Sequence, residues 1–168
     1  MKPPAIRQVL NQLLNLFWTA VCSMPLIIYW VRAEKTYLLP LLALSIPGIF
    51  ISSKIYQLSK RTRVYKSLGV KWVRFFVQDG GLIGRLTGKS GEPRIITNRT
   101  RGRKYLKTIM VYERFHVLCF LFFTFTTIHA VWFGNVEMAM VITGSNIIYN
   151  IYPLLLQQYN RIRVERMV

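Results

Sequence analysis

The chain has 168 residues, 52% of them apolar and 14% aromatic, and its 23 Lys and Arg residues face only six acids, for a formal net charge of +17. That balance excludes an ordinary soluble domain, whose surface mixes charges of both signs over about a quarter of its residues. It fits one membrane domain over residues 1–168, with apolar residues gathered into spans and cations between them.

The first apolar run, residues 13–31, is long enough to cross a hydrocarbon core of about 30 Å at roughly 1.5 Å per residue. It has no small-residue cleavage pattern before Arg32, so it reads as a retained span rather than a signal peptide. The second run, residues 37–55, carries Pro40, Pro47 and Gly48 and is strictly apolar only to Ile51, which predicts a kinked or re-entrant helix. Further runs at 115–132 and 136–156 bring the total to four. The expected fold is an all-α membrane protein of about four transmembrane helices, with a basic cytoplasmic segment, residues 56–112, between the second and third.

Cations near span ends stay on the cytoplasmic side. Residues 54–114 hold 16 of them against Asp79, Glu92 and Glu113; Lys2 and Arg7 precede the first run, and Arg161, Arg163 and Arg166 follow the last. Both termini are therefore expected in the cytoplasm of a multi-pass cell-membrane protein, leaving only Arg32 and Lys35 outside.

Within the basic segment, Ser53 to Lys71 reads as a helix continuing out of the second run. Residues 70–77, with Trp72, Phe75 and Phe76 beside Lys71 and Arg74, suit the headgroup layer, where rings lie at the interface and cations meet lipid phosphates. The glycines from Gly80 to Gly91 match no phosphate-loop fingerprint, so a basic loop on anionic lipid is expected there, with no nucleotide or other cofactor. Nucleic acid is not an expected partner, because membrane orientation accounts for the charge. Cys22 and Cys119 fall in different runs and give neither a disulfide framework nor a metal-ligand spacing.

Two polar groups carry candidate chemistry. Glu113 and His116, three residues apart on one helical face, form the pattern of a general base and its orienter: a carboxylate that fixes one imidazole nitrogen frees the other to take a proton. The last run holds Asn146, Asn150 and Pro153 and leads into Gln157, Tyr159, Asn160, Arg161 and Arg163. The third run begins and the fourth ends in the cytoplasm, so this polar end should lie near Glu113 and His116. Asn146 and Asn150 join helices or line a site. Arg161 and Arg163 anchor the span end or bind substrate phosphate or carboxylate. His129, about 20 Å further along its helix, reads as an interfacial or packing residue.

With those residues in view, residues 65–163 resemble the small integral-membrane family named for the glycosyl-diaponeurosporenoate acyltransferase of staphyloxanthin-type carotenoid synthesis. The resemblance rests on Gly69, Val70, Lys71 and Trp72 before Asp79 and Gly80, on Glu113 and His116, and on Asn150 and Pro153 leading into Gln157 to Arg163. Gln158 stands where the family pattern has arginine, and Ile162 where it has proline. The resemblance implies transfer of a fatty acyl group to a sugar hydroxyl of a glycosylated lipid or carotenoid at the cytoplasmic leaflet. It implies His116 and Glu113 as catalytic residues, and Asp79, Asn150, Gln157, Tyr159, Asn160, Arg161 and Arg163 as substrate-binding residues. Membrane lipid and an acyl-CoA or acyl-carrier donor are the implied partners. Four helices enclose little volume for a large lipid, which favours a homo-oligomer or larger membrane complex. The competing reading is a non-catalytic membrane subunit that binds anionic lipid or a protein partner.

Overall fold

The computed structural model describes residues 3–78, 80–88 and 99–167, and these contain helices and connecting segments but no strand. Helix α1, Pro3–Arg32, presents Leu13, Leu16, Phe17, Val21 and Ile27 outward, as a helix surrounded by hydrocarbon requires. Helix α6, Arg99–Trp132, is continuous, so the third apolar run extends from a helical stem that already starts in the basic region. After a short turn, the Asn135 side chain accepts from Met138 N at 3.3 Å and caps α7, Val136–Asn146. A π-helical turn, Ile147–Ile151, joins α7 to α8, Tyr152–Glu165. Pro153 follows that turn and has no N–H to return to the preceding carbonyls, and a π turn is one way for a helix to accommodate such a gap. Among the described residues, three helices, Ala5–Arg32, Arg99–Trp132 and Val136–Glu165, are long and apolar enough to cross a membrane.

The second apolar run is a shorter helix. It opens with a 3-10 turn at Lys35–Tyr37, continues as α2, Leu38–Ser45, and closes with a 3-10 turn at Ile46–Phe50, where Pro47 and Gly48 lie. Its course runs antiparallel to α6. Tyr37 packs on the ring of His129 at 5.0 Å, Gly48 lies against Leu121 and Val117, where a Cβ would meet the tip of the Leu121 side chain, and Ser53 meets Arg161 beside Glu113. From His129 to Glu113, α6 rises by about 24 Å.

The expected basic helix from Ser53 to Lys71 does not form. Residues 51–61 are non-helical, α3 is confined to Thr62–Ser67, and α4, Val70–Phe76, begins after Gly69 at φ +76°. Side chains compete for the backbone there. Tyr65 Oη accepts from Ser59 N at 3.0 Å and lies 2.8 Å from Ser59 O, and Gln158 Oε1 accepts from Leu58 N at 3.2 Å.

Two cores hold the ends of the molecule. At one end Tyr29 and Trp30 of α1 pack with Phe123, Ala130, Ala139 and Ile142. At the other, Tyr65 and Val70 pack on Leu156, Tyr159 and Ile162 of α8, so the basic segment is docked on the last helix rather than trailing from it. A final short helix, α5, Gly81–Leu86, folds under α4, where Gly80 and Gly81 meet Arg74 O and the Phe75 ring. The side chain of Trp18 on α1 donates to Phe76 O at 3.1 Å.

Candidate active site

Arg161 occupies the point where α6, α8 and the stretch after the second run converge. The side chains of a helix lean toward its N-terminus, so the Arg161 guanidinium reaches back along α8 into the protein. Its Nε donates to Glu113 Oε1 at 3.0 Å, Nη1 to Ser53 Oγ at 2.9 Å and Nη2 to Gln57 Oε1 at 3.2 Å. Glu113 is 0% exposed, which makes the ion pair internal. Its second oxygen, Oε2, has no hydrogen-bond partner among the described residues.

Gln158, one position from the expected signature residues, ties down the same stretch. Its Nε2 donates to Tyr56 O at 3.0 Å, while Oε1 lies 2.9 Å from Tyr65 Oη. Burial pushes the Tyr56 hydroxyl up to about 12, with the Glu113 carboxylate adding to the effect and Arg161 and Arg114 opposing it. Burial raises Tyr65 as well.

His116 lies one turn further along α6 and is held by different partners. Its Nδ1 is 3.4 Å from Asn150 Oδ1, Asn150 Nδ2 donates to Asn146 Oδ1 at 2.8 Å, and Asn146 Nδ2 reaches Phe120 O and Thr124 Oγ1 at 3.2 Å each. Tyr149 stands edge-on to the imidazole with ring centres 6.0 Å apart, and its hydroxyl lies 3.0 Å from Thr19 Oγ1 on α1. The half-buried imidazole thus sits between α6 and the π turn, whose Tyr149 reaches α1. This arrangement sets a titratable base beside amide groups in an apolar surround, which suits removal of a proton from a bound hydroxyl.

The expected pairing of Glu113 with His116 is replaced by Glu113 with Arg161 and His116 with Asn150. A buried carboxylate is costly unless a cation meets it, whereas a neutral imidazole is satisfied by an amide. All three guanidinium nitrogens of Arg161 are occupied internally. Arg163 lies over the Tyr159 ring at 5.5 Å, and Tyr159 itself belongs to the core with Tyr65 and Val70. Gln157 and Asn160 are half-buried, and among the described residues no hydrogen bond joins Gln157, Tyr159 or Asn160 to His116. Asp79 lies outside the described residues. The sequence reading missed Ser53, Gln57, Thr19 and Tyr149. Their only signal was a polar atom near or inside an apolar run, which costs free energy unless paired.

A family model described as glycosyl-4,4'-diaponeurosporenoate acyltransferase matches residues 47–168. The match contains Ser53, Gln57, Glu113, His116, Asn150 and Arg161, and excludes Thr19. No curated protein and no solved structure matches the chain.

Proposed function

The chain belongs to the glycosyl-4,4'-diaponeurosporenoate acyltransferase family, and on that premise we propose that it moves a fatty acyl group from acyl-CoA or an acyl carrier to a sugar hydroxyl of a glycosylated lipid or carotenoid. His116 is the general base. It takes the hydroxyl proton as the oxygen attacks the thioester carbonyl; the new ester forms, the carbon–sulfur bond breaks, and the imidazolium returns its proton to the departing thiolate. A base so placed contributes roughly 10²- to 10⁴-fold. The observation that carries this reading is the hydrogen-bonded, half-buried His116 where the apolar half of α6 begins, on a helix long and apolar enough to cross a membrane and inside the matched residues. Arg163, rather than the internally engaged Arg161, is the charge this reading assigns to attracting an anionic donor.

The reaction belongs at the cytoplasmic leaflet of a four-span protein with both termini in the cytoplasm. Two observations support that placement: 21 of the 23 cations fall on one side in this arrangement, and the second apolar run passes from the level of His129 to that of Glu113.

A non-catalytic subunit is the second reading, and the Arg161–Glu113 clamp favours it, since two polar residues of the signature then serve architecture. Lipid mass spectrometry separates the two. Cells making the intact chain, no chain, or His116→Ala at matched membrane abundance are compared; gain of one acyl mass on a glycolipid with the intact chain alone supports catalysis. An acylated product that persists with His116→Ala removes His116 as the base, and no change among the three removes the enzyme reading.

A further inference from the structure

The polarity of the chain from Asn146 to His116 is fixed at its far end. The Phe120 carbonyl can only accept, and it also accepts the Thr124 hydroxyl at 2.7 Å. The Asn146 atom 3.2 Å from that carbonyl must therefore be the amide nitrogen, and the same nitrogen finds the Thr124 oxygen as a second acceptor. Asn146 Oδ1 is left to accept from Asn150 Nδ2 at 2.8 Å. That in turn leaves Asn150 Oδ1 toward the imidazole, 3.4 Å from Nδ1. An amide oxygen only accepts, so Nδ1 carries the ring proton and Nε2 carries the lone pair.

Resting on the reading of His116 as general base, we propose that Asn150 is a positioning residue that holds His116 in the Nδ1–H tautomer, and that Asn146 locks the direction of Asn150. An unconstrained imidazole distributes its proton over both nitrogens and turns about its side-chain bonds. Here the Nδ1 side of the ring faces Asn150 Oδ1, and the Tyr149 backbone carbonyl is a second acceptor beside the imidazole; in the Nδ1–H tautomer Nε2 is the atom that accepts the hydroxyl proton. The π turn is part of the device, because it spans Ile147–Ile151 and brings the wholly buried Asn150 onto α6 beside His116. Glu113, committed to Arg161, takes no part in it.

The test uses the full chain in lipid nanodiscs, labelled with ¹⁵N-histidine, with the His116 signals assigned by their loss in His116→Gln. The intact chain is expected to show Nδ1 protonated and Nε2 unprotonated, and Asn150→Leu to show a mixture of tautomers. In membranes supplied with palmitoyl-CoA, Asn150→Leu is expected to lower kcat roughly 10- to 100-fold with KM little changed. Asn150→Asp, which still accepts from Nδ1–H, is expected to recover much of the rate and to move the acidic limb of the pH profile upward, because a carboxylate favours imidazolium. An unprotonated Nδ1 in the intact chain overturns the proposal without any variant. So does an Asn150→Leu protein with an unchanged spectrum and rate while His116→Ala is inactive. Activity retained by His116→Ala would instead overturn the reading of His116 as the base.

Discussion

Arg161 and Glu113 form an ion pair inside the protein, Nε to Oε1 at 3.0 Å, with Arg161 also gripping Ser53 and Gln57. Three separate pieces of chain meet in that one guanidinium: α6 through Glu113, α8 through Arg161 itself, and the exit of the second apolar run. The pair therefore closes the end of the bundle on which the candidate active site depends. Its two members sit 48 positions apart in sequence.

Removing one partner leaves the other buried and uncompensated. Glu113→Ala should therefore destabilise the protein by about 3–5 kcal/mol, and the double variant Glu113→Leu with Arg161→Met should recover most of that loss. Thermal unfolding of the purified protein in detergent, followed by tryptophan fluorescence, measures both. If the double variant is no more stable than Glu113→Ala, the pair is not the unit that holds this end together.

Gln158 bonds to Tyr56, Leu58 and Tyr65 through one amide, so it anchors a non-helical stretch that Arg161 and Tyr65 also hold. Gln158→Leu should accelerate amide exchange across residues 56–61 and leave the α6–α7 hairpin protected, whereas Tyr65→Phe, which keeps the ring in its core, should cost only about 1 kcal/mol. Exchange followed by mass spectrometry reads the first, and a uniform rise over the whole chain would show that Gln158 supports global folding instead.

The helices long and apolar enough to cross a membrane were legible because an apolar run of about 20 residues has one economical solution in hydrocarbon. The neighbourhood of His116 and Asn150 also followed from topology, since antiparallel helices put the start of one beside the end of the next. The partner of Glu113 did not. Its spacing to His116 is a property of one helix, and only the packing of α8 along α6 reveals that a cation reaches the same carboxylate. Residues 51–61 were misread as helix for a similar reason: their local pattern permits one, but Gln158 and Tyr65 offer the backbone groups partners that sequence spacing does not display.

At Gly48 the second apolar run lies against α6, with Leu121 and Val117 in the space a side chain would need. Gly48→Ala meets mainly the mobile end of Leu121 and should be tolerated with a small loss, while Gly48→Val should push the run away and cost about 1–3 kcal/mol. Pairing Gly48→Val with Leu121→Ala should restore part of the loss. Unfolding midpoints of the three variants decide it, and equal midpoints for Gly48→Val with and without Leu121→Ala would place the strain elsewhere.

Tyr56 gives a pH dependence whose direction can be worked out in advance. Its hydroxyl ordinarily titrates near 10 and in the folded protein is pushed up to about 12, first by burial and then by Glu113. Below the lower value both folded and unfolded chains hold the proton, and Tyr56 contributes nothing to the slope. Between the two values the unfolded chain has released the proton while the folded chain retains it, so stability must fall as pH rises through that window. Replacing the hydroxyl should remove this component: Tyr56→Phe is expected to be less sensitive than the intact chain to pH between about 10 and 12, with near-identical behaviour at pH 8. Unfolding midpoints measured across that range for both proteins make the comparison, with the other tyrosines and the lysines common to each. A slope that is the same in the two proteins would mean that burial does not hold the proton on the Tyr56 hydroxyl.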